Sequence, residues 1–236
     1  MPASCCKPDY DAAFDARTAR RQATAYRRSG ASGSTLRLIE AVKASGVQGA
    51  SLLDIGGGFG VIGLELLAAG AESVVGVDAS GPYMAVAGHE ANLRGFGERT
   101  TFVHGDFVEM ASEIDRVDIV TLDRVICCYG DWGAMVDRAT ERAGRLVGLV
   151  LPNDRWWLRA GIGLGNLFIR LAGTSFRGYV HPERKVDERI RAAGFERRLH
   201  HRGWLWQTML YRRVIATTQA DSVAYQPGSA VDLEAV

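Results

Sequence analysis

Short apolar runs alternate with amphipathic stretches through the middle of this chain. The apolar runs predict five strands, at Ser51–Ile55, Ser73–Asp78, Thr100–His104, Val117–Leu122 and Arg145–Leu151. Apolar positions at helical spacing occupy the intervals between them. The last run is apolar almost throughout, which is typical of a strand buried on both faces. This alternation predicts an α/β fold built on a parallel sheet with right-handed crossovers.

The pattern differs on either side of this repeat. Two helices are predicted before it, at about Asp9–Arg28 and Thr35–Ala44, with a Gly/Ser-rich break between them. After Pro152 the pattern predicts helices at about 154–172 and 182–193, followed by strands at 195–200 and 204–213. Residues 1–8 and 216–236 show no periodicity. We therefore predict a flexible start and helical lid over 1–34, one α/β domain over 35–214, and a loose tail over 215–236.

Composition narrows the class of protein only modestly. The chain has 236 residues and a formal net charge of +1, which suits one globular domain and gives no general attraction to nucleic acid. A signal peptide and an apolar run of the ~20 residues needed to span a bilayer are both missing from the sequence. The four cysteines form two adjacent pairs without C-x-x-C spacing, so no metal site is predicted. We expect a soluble cytoplasmic protein without stable membrane insertion.

A glycine-rich loop between the first strand and the following helix is the most informative segment. Residues 51–63 read S-L-L-D-I-G-G-G-F-G-V-I-G. Glycines let a backbone turn tightly and approach a ligand, and the helix start presents free N–H groups to it. Residues 58–63 fit G-x-G-x-x-G, the dinucleotide fingerprint. Residues 54–60 fit D-x-G-x-G-x-G, the loop of S-adenosylmethionine (SAM) methyltransferases.

Carboxylates at three successive strand ends favour SAM over a dinucleotide. Asp54 precedes the glycines, where it would attract the cationic amino group of SAM and repel a pyrophosphate. Asp78 ends the second strand and suits ribose hydroxyls in either type of site. Asp106, between Gly105 and Phe107, could accept a hydrogen bond from a purine amine while the ring packs on the base.

With these motifs the sequence resembles the class I SAM-dependent methyltransferase family, over about residues 35–214. The resemblance rests on D-I-G-G-G-F-G at 54–60, V-G-V-D-A-S at 75–80, H-G-D-F at 104–107 and T-L-D-R-V-I-C-C-Y at 121–129. L-D-R-V-I-C-C-Y and the later P-N-D-R-W-W look like a bacterial subgroup described as similar to magnesium-protoporphyrin O-methyltransferases.

The resemblance implies a doubly wound, Rossmann-like sheet of seven strands, mostly parallel with the last strand antiparallel. It implies that SAM, and its product S-adenosylhomocysteine (SAH), lie over the C-terminal strand ends. The cofactor-binding residues that it suggests are Asp54, Gly56, Gly57, Gly58, Gly60, Asp78, Ala79, Gly105, Asp106, Phe107, Asp123 and Arg124.

The acceptor half of the site is harder to read, because methyl transfer depends mainly on positioning. A base is needed only when the acceptor must lose a proton, and the candidates are Asp123, Tyr129 and His181. Each of these residues could instead have a structural role, in packing, in capping or in an Asp123–Arg124 salt bridge. An inserted segment over 154–180 is the candidate acceptor lid, and burial of its apolar stripe is the alternative. Its aromatic residues and arginines are Trp156, Trp157, Phe168, Phe176, Tyr179, Arg155, Arg159, Arg170 and Arg177.

The expected function is methyl transfer from SAM to a small molecule, such as O-methylation of an aromatic, apolar or carboxylate-bearing compound. A non-catalytic SAM-binding protein and an NAD(P)-dependent oxidoreductase are the alternatives. No nucleic-acid partner is expected, and a homodimer remains open.

Overall fold

The computed structural model describes residues 10–171 and 176–214. The expectations for residues 1–8 and for the tail therefore lie outside the described residues. The helices are α1 (Tyr10–Ala13), α2 (Ala16–Ser29), α3 (Gly33–Ala44), α4 (Val61–Ala68), α5 (Gly81–Leu93), α6 (Phe107–Met110), α7 (Trp132–Arg142), α8 (Trp156–Leu171) and α9 (Glu183–Ala192). The strands are β1 (Ser51–Ile55), β2 (Ser73–Asp78), β3 (Thr100–His104), β4 (Val117–Asp123), β5 (Ala143–Pro152), β6 (Phe195–Arg202) and β7 (Trp206–Arg213).

The strands form one seven-stranded sheet in the order β3-β2-β1-β4-β5-β7-β6. The pairs among β1 to β5 are parallel, and β7 runs antiparallel to both of its neighbours, β5 and β6. The predicted fold class, including the antiparallel last strand, is confirmed. The strand order reverses between β1 and β4, and such a reversal opens a crevice at the C-terminal strand ends where ligands bind.

Helices cover both faces of the sheet because neighbouring strand residues point to opposite sides. In β1, Leu52 packs in one apolar cluster with Leu38 of α3 and Ile62 of α4. The next residue, Leu53, packs in a second cluster with Val136 of α7 and Ile190 of α9. The sheet is therefore doubly wound, with an apolar core on each face. The crevice lies at the strand ends, outside both cores.

The N-terminal helical region differs from the prediction. The single helix expected over about 9–28 is divided into α1 and α2. Asp15 stands at the division, with an extended ψ of 165° and a side chain that accepts a 2.8 Å hydrogen bond from the Thr18 N–H. This cap holds the pKa of the Asp15 carboxyl below its usual value. The Asp15 cap begins a new helix at this point. The spacing of apolar residues does not indicate where such a cap falls.

Buried charge attaches α2 to the domain. The Glu90 side chain on α5 is only 1% exposed and forms ion pairs with Arg27 of α2 and with Arg94, which directly follows α5. The Arg94 guanidinium also lies 5.1 Å from the centre of the Tyr26 ring, and the Tyr26 hydroxyl donates to Glu65 at 3.0 Å. These contacts hold α2 against α4 and α5.

Replacing Glu90 by Gln should therefore destabilise the fold. Loss of the charge leaves two guanidinium groups facing a neutral amide in a buried position. Because both arginines are partly exposed, we expect a loss of about 1–2 kcal/mol in the free energy of unfolding. Urea denaturation measures it, and Glu98→Gln, at an exposed position, is the matched control. An equal effect of the two substitutions would contradict this role for Glu90.

Within residues 10–171 and 176–214, no helix is both long and apolar enough to cross a bilayer. The same residues contain no cluster of three or more His, Cys, Asp or Glu side chains arranged to hold a metal ion. Cys127 and Cys128 lie on a short 3₁₀ turn, where their Sγ atoms approach to 3.8 Å.

Candidate functional site

A cavity of about 570 Å³ lies over the C-terminal ends of β1 to β4. Its floor is formed by the glycine loop and the strand ends, namely Gly56, Gly57, Gly58, Phe59, Asp78, Ala79, Gly105, Asp106, Phe107, Asp123, Arg124, Val125, Cys128 and Tyr129. Its cover is formed by the N-terminal region, with Tyr10, Phe14, Gln22, Ala25, Tyr26, Ser29, Ser32 and Thr35. This volume falls in the range of about 300–1,000 Å³ common to small-molecule sites.

Local packing explains the glycine loop. A Cβ on Gly56 would overlap the Val125 side chain, and a Cβ on Gly57 would overlap the Asp54 carboxylate. Gly58 has a φ of +57°, which disfavours larger residues. The loop therefore needs glycine whatever the ligand is, and this explains why its glycines alone could not distinguish the two templates.

Asp54 lies beneath the loop, although we predicted that it would contact the cofactor. It is 2% exposed and is absent from the residues that line the cavity. Its Oδ1 accepts a 2.6 Å hydrogen bond from the Thr121 hydroxyl, and its Oδ2 has no partner among the described residues. Burial raises the pKa of Asp54 to about 7. The sequence argument that Asp54 attracts the amino group of SAM therefore lacks the contact it requires.

Gly60 is also separated from the cavity. It has a φ of +86° and caps the start of α4, so its position is explained by the turn into the helix. The other ten residues suggested for cofactor binding all line the cavity. Asp54 and Gly60 therefore lie outside the cavity lining, and cofactor binding by the other ten residues stays a prediction.

Asp78 joins the glycine loop to the start of α5. Its Oδ2 accepts from the Gly58 N–H at 3.0 Å, and its Oδ1 accepts from the Ser80 N–H at 2.8 Å. Burial raises the pKa of this carboxyl, and the two backbone hydrogen bonds oppose that rise. An ionised carboxylate offers about four lone-pair positions, so acceptor capacity is left for a diol in the cavity.

Asp106 and Tyr129 form a pair on the opposite wall. The Tyr129 hydroxyl donates to Asp106 Oδ2 at 3.0 Å, and Asp106 Oδ1 accepts from the Val108 N–H at 2.9 Å as the cap of α6. Burial and the neighbouring carboxylate hold the pKa of Tyr129 above its usual value. Tyr129 therefore stays protonated as a hydrogen-bond donor, which makes it a poor base.

Asp123 and Arg124 form the salt bridge that was the alternative to a catalytic role. Asp123 Oδ1 lies 3.1 Å from Arg124 Nε, and Asp123 Oδ2 accepts from the Thr35 hydroxyl at 2.6 Å. Arg124 also donates to Thr35 at 3.1 Å. The Arg124 backbone has a φ of +58°, which is uncommon for a residue with a side chain and marks the sharp turn after β4. The motifs did not predict that Thr35 belongs to the site, because nothing in its local sequence signals contact with the end of β4.

His181 is not brought to the cavity. Its imidazole is buried, and its Nε2 lies 3.0 Å and 3.2 Å from the carbonyl oxygens of Ile126 and Tyr129. The ring also stacks on Tyr179 at 5.6 Å. Burial lowers the pKa of His181. These contacts give the ring a bracing role behind the turn at 126–129, and the structure shows no route from it to an acceptor.

The cover of the cavity comes from the N-terminal helices rather than from the segment 154–180. The Tyr10 hydroxyl donates to the Cys128 carbonyl at 3.3 Å, and the Phe14 carbonyl accepts from the Ser80 hydroxyl at 2.8 Å. No described residue between 154 and 180 lines the cavity. Phe176 approaches it indirectly, through an edge contact with Phe14 at 5.5 Å.

The charged groups of the lining distinguish a cationic ligand from a pyrophosphate. In the described lining, the charged side chains are Asp78, Asp106, Asp123 and Arg124. A cavity with an excess of carboxylates attracts a sulfonium and an ammonium group, and it repels the two negative charges of a pyrophosphate. The lining therefore fits SAM, and this fit replaces the argument that rested on Asp54.

Comparison with known proteins agrees with this geometry. Residues 52–146 match the model of a methyltransferase domain family. Over 74 residues the chain is 36% identical to the methyltransferase ungE' of Aspergillus campestris, an overlap that covers 30% of this chain. The overlap spans only 22% of that relative's length.

Solved structures share the fold over most of the chain. The magnesium protoporphyrin IX methyltransferase of Synechocystis, crystallised with SAH, is 20% identical and superposes with a TM-score of 0.64, covering 87% of this chain and all of that one. An O-methyltransferase family protein from Burkholderia thailandensis is 17% identical with a TM-score of 0.65, covering 85% of this chain and 61% of that one.

The seven-stranded sheet has the fold of the class I SAM-dependent methyltransferases, as the motifs predicted. Residues 52–146 are the part of the chain that matches a methyltransferase domain. SAM is the cofactor that this domain implies, and the charged lining of the cavity fits it.

Proposed function

We propose that this protein transfers the methyl group of SAM to a small-molecule acceptor bound under the N-terminal helices. The observation that carries the proposal is the set of three carboxylates and one arginine around the glycine loop. SAM supplies a methyl group already activated by its sulfonium, so the protein must mainly bind and orient the two reactants.

The cofactor half is assigned to the strand ends. Asp78 would accept hydrogen bonds from the ribose hydroxyls while it holds Gly58 and Ser80. Asp106, with Phe107 beside it, would receive the adenine. Arg124, fixed by Asp123 and Thr35, would pair with the carboxylate of the methionine moiety.

The acceptor half is assigned to the cover. Tyr10, Phe14 and Tyr26 contribute aromatic surface there, which suits a flat or apolar molecule. Burial raises the pKa of Tyr10 to about 12, and Tyr129 is held protonated, so neither phenol serves as a base at neutral pH. The arrangement favours an acceptor that ionises readily by itself, such as a carboxylate or an acidic phenol, and O-methylation is the reaction that follows.

Turnover of SAM with a panel of small acceptors tests this function. The protein should release SAH in the presence of at least one aromatic carboxylate or phenol, at a rate above that without acceptor. Release is measured by coupled hydrolysis of SAH, with heat-denatured protein as the control. Tight SAM binding without turnover across the panel would favour a non-catalytic SAM-binding protein instead.

A further inference from the structure

Helix α8 carries an apolar stripe that faces away from the protein. The stripe consists of Trp156, Leu164, Leu167, Phe168 and Leu171, whose exposed fractions are 81%, 56%, 52%, 62% and 74%. At about 100° per residue, these positions fall within an arc of about 120° on the helix. A helix on the surface of a globular domain ordinarily turns such a stripe toward the core.

The opposite side of α8 fixes this orientation. The Asn166 side chain donates to the Gly178 carbonyl at 2.8 Å and accepts from the Gly178 N–H at 2.9 Å. At the start of the helix, on the same side as the stripe, Trp157 stacks on Trp204 of the β6–β7 turn with ring centres 5.7 Å apart. Trp204 is itself 73% exposed. Asn166 therefore attaches α8 to the protein on the side away from the stripe, and the five residues of the stripe stay exposed.

The charges around the stripe are almost all positive. Residues 154–177 contain four arginines and one acidic residue, Asp154. Asp154 pairs with Arg159. Arg155, Arg170 and Arg177 are exposed and form no ion pair with any residue that the structure describes. A second copy of the chain would bring like charges together at this surface, whereas an anionic lipid surface would be complementary to it.

We propose that the α8 stripe docks on an anionic membrane surface, with the helix lying in the plane of the interface. Tryptophan, leucine and phenylalanine on one side with arginine beside them are the features of interfacial helices. With 16 residues, α8 is too short to span the bilayer, so it would rest on the surface. This docking is independent of the proposed methyl transfer, because no residue of the stripe lines the cavity.

Vesicle co-sedimentation tests the proposal with matched variants. The full chain should bind phosphatidylcholine vesicles that contain phosphatidylglycerol, and binding should weaken as salt rises. Leu164→Glu should reduce partitioning about tenfold or more, because it places a charge where a leucine would be buried. Leu93→Glu, on α5 at a position that is 60% exposed, should leave partitioning unchanged. Arg170→Gln should reduce it about fivefold on anionic vesicles only.

Two kinds of result would overturn the proposal. One is failure of the unmodified chain to bind anionic vesicles, or equal binding by the chain and its Leu164→Glu variant. The other is a concentration-dependent dimer, seen by sedimentation, that Leu164→Glu dissociates while vesicle binding stays absent. SAM binding by each variant is measured alongside and should be unchanged, so failure here is distinguishable from failure of the proposed function.

Discussion

Asp78→Asn is expected to weaken the binding of SAH at least about 100-fold. The carboxylate of Asp78 would accept two charge-assisted hydrogen bonds from the ribose, each contributing about 1.5–3 kcal/mol. The amide of Asn must also turn its NH₂ group toward the N–H of either Gly58 or Ser80, which both donate to Asp78 in the native site. Equilibrium dialysis with radiolabelled SAH measures the loss, and Asp115→Asn, at an exposed loop position, is the control.

A ligand lacking the hydroxyls separates ribose recognition from a disturbed loop. In the unmodified protein, the 2′,3′-dideoxy analogue of SAH should bind much more weakly than SAH. In Asp78→Asn, the two ligands should bind almost equally, because the partner of the hydroxyls is gone. If both proteins show the same preference for SAH, Asp78 does not contact the ribose.

Asp54→Asn is expected to change how stability depends on pH. The folded-state pKa of Asp54 is about 7, above the value of about 3.9 for an unfolded chain. The folded state therefore binds more protons between these two values, so raising the pH across this window destabilises the native protein. At about 1.4 kcal/mol per pH unit, the penalty reaches about 3–4 kcal/mol at pH 7 and stays constant above it. Asn does not titrate and avoids the penalty.

Denaturation with urea across this pH window measures the difference. The free energy of unfolding of Asp54→Asn, relative to that of the unmodified protein, should rise from about pH 4 to pH 7. Above pH 7 this difference should stay constant. Asp118→Asn provides a control of opposite sign, because hydrogen bonds from Ser51 lower the pKa of Asp118. Parallel pH profiles for Asp54→Asn and the unmodified protein would show that Asp54 is ionised throughout.

The sheet could be predicted because buried parallel strands have a strong signature. The bounds of β1, β2 and β3 agree with the apolar runs, and Ser80 caps α5, its hydroxyl accepting from the Tyr83 N–H. These features depend on neighbours in sequence. The positions of Asp78, Asp106 and Arg124 at the cavity were predicted in the same way, because each ends a strand or follows one within two residues.

The remaining features depend on which way a side chain points, and one sequence does not show this. Asp54 lies in β1, two residues before the glycine loop, yet its carboxylate lies under Gly57 instead of facing the cavity. His181 precedes a helix as expected, but its ring faces backbone carbonyls. The stripe of α8 was expected to face a core or an acceptor, and it faces outward because Asn166 binds Gly178 on the other side.

Calorimetric titration of the unmodified protein with SAH and, separately, with NADH tests the central claim most directly. That claim is that an acidic cavity over β1 to β4 binds SAM and its product. It predicts one SAH bound per chain, with an affinity well above that for NADH. Absence of heat with SAH at millimolar concentration, or tighter binding of NADH than of SAH, would contradict it.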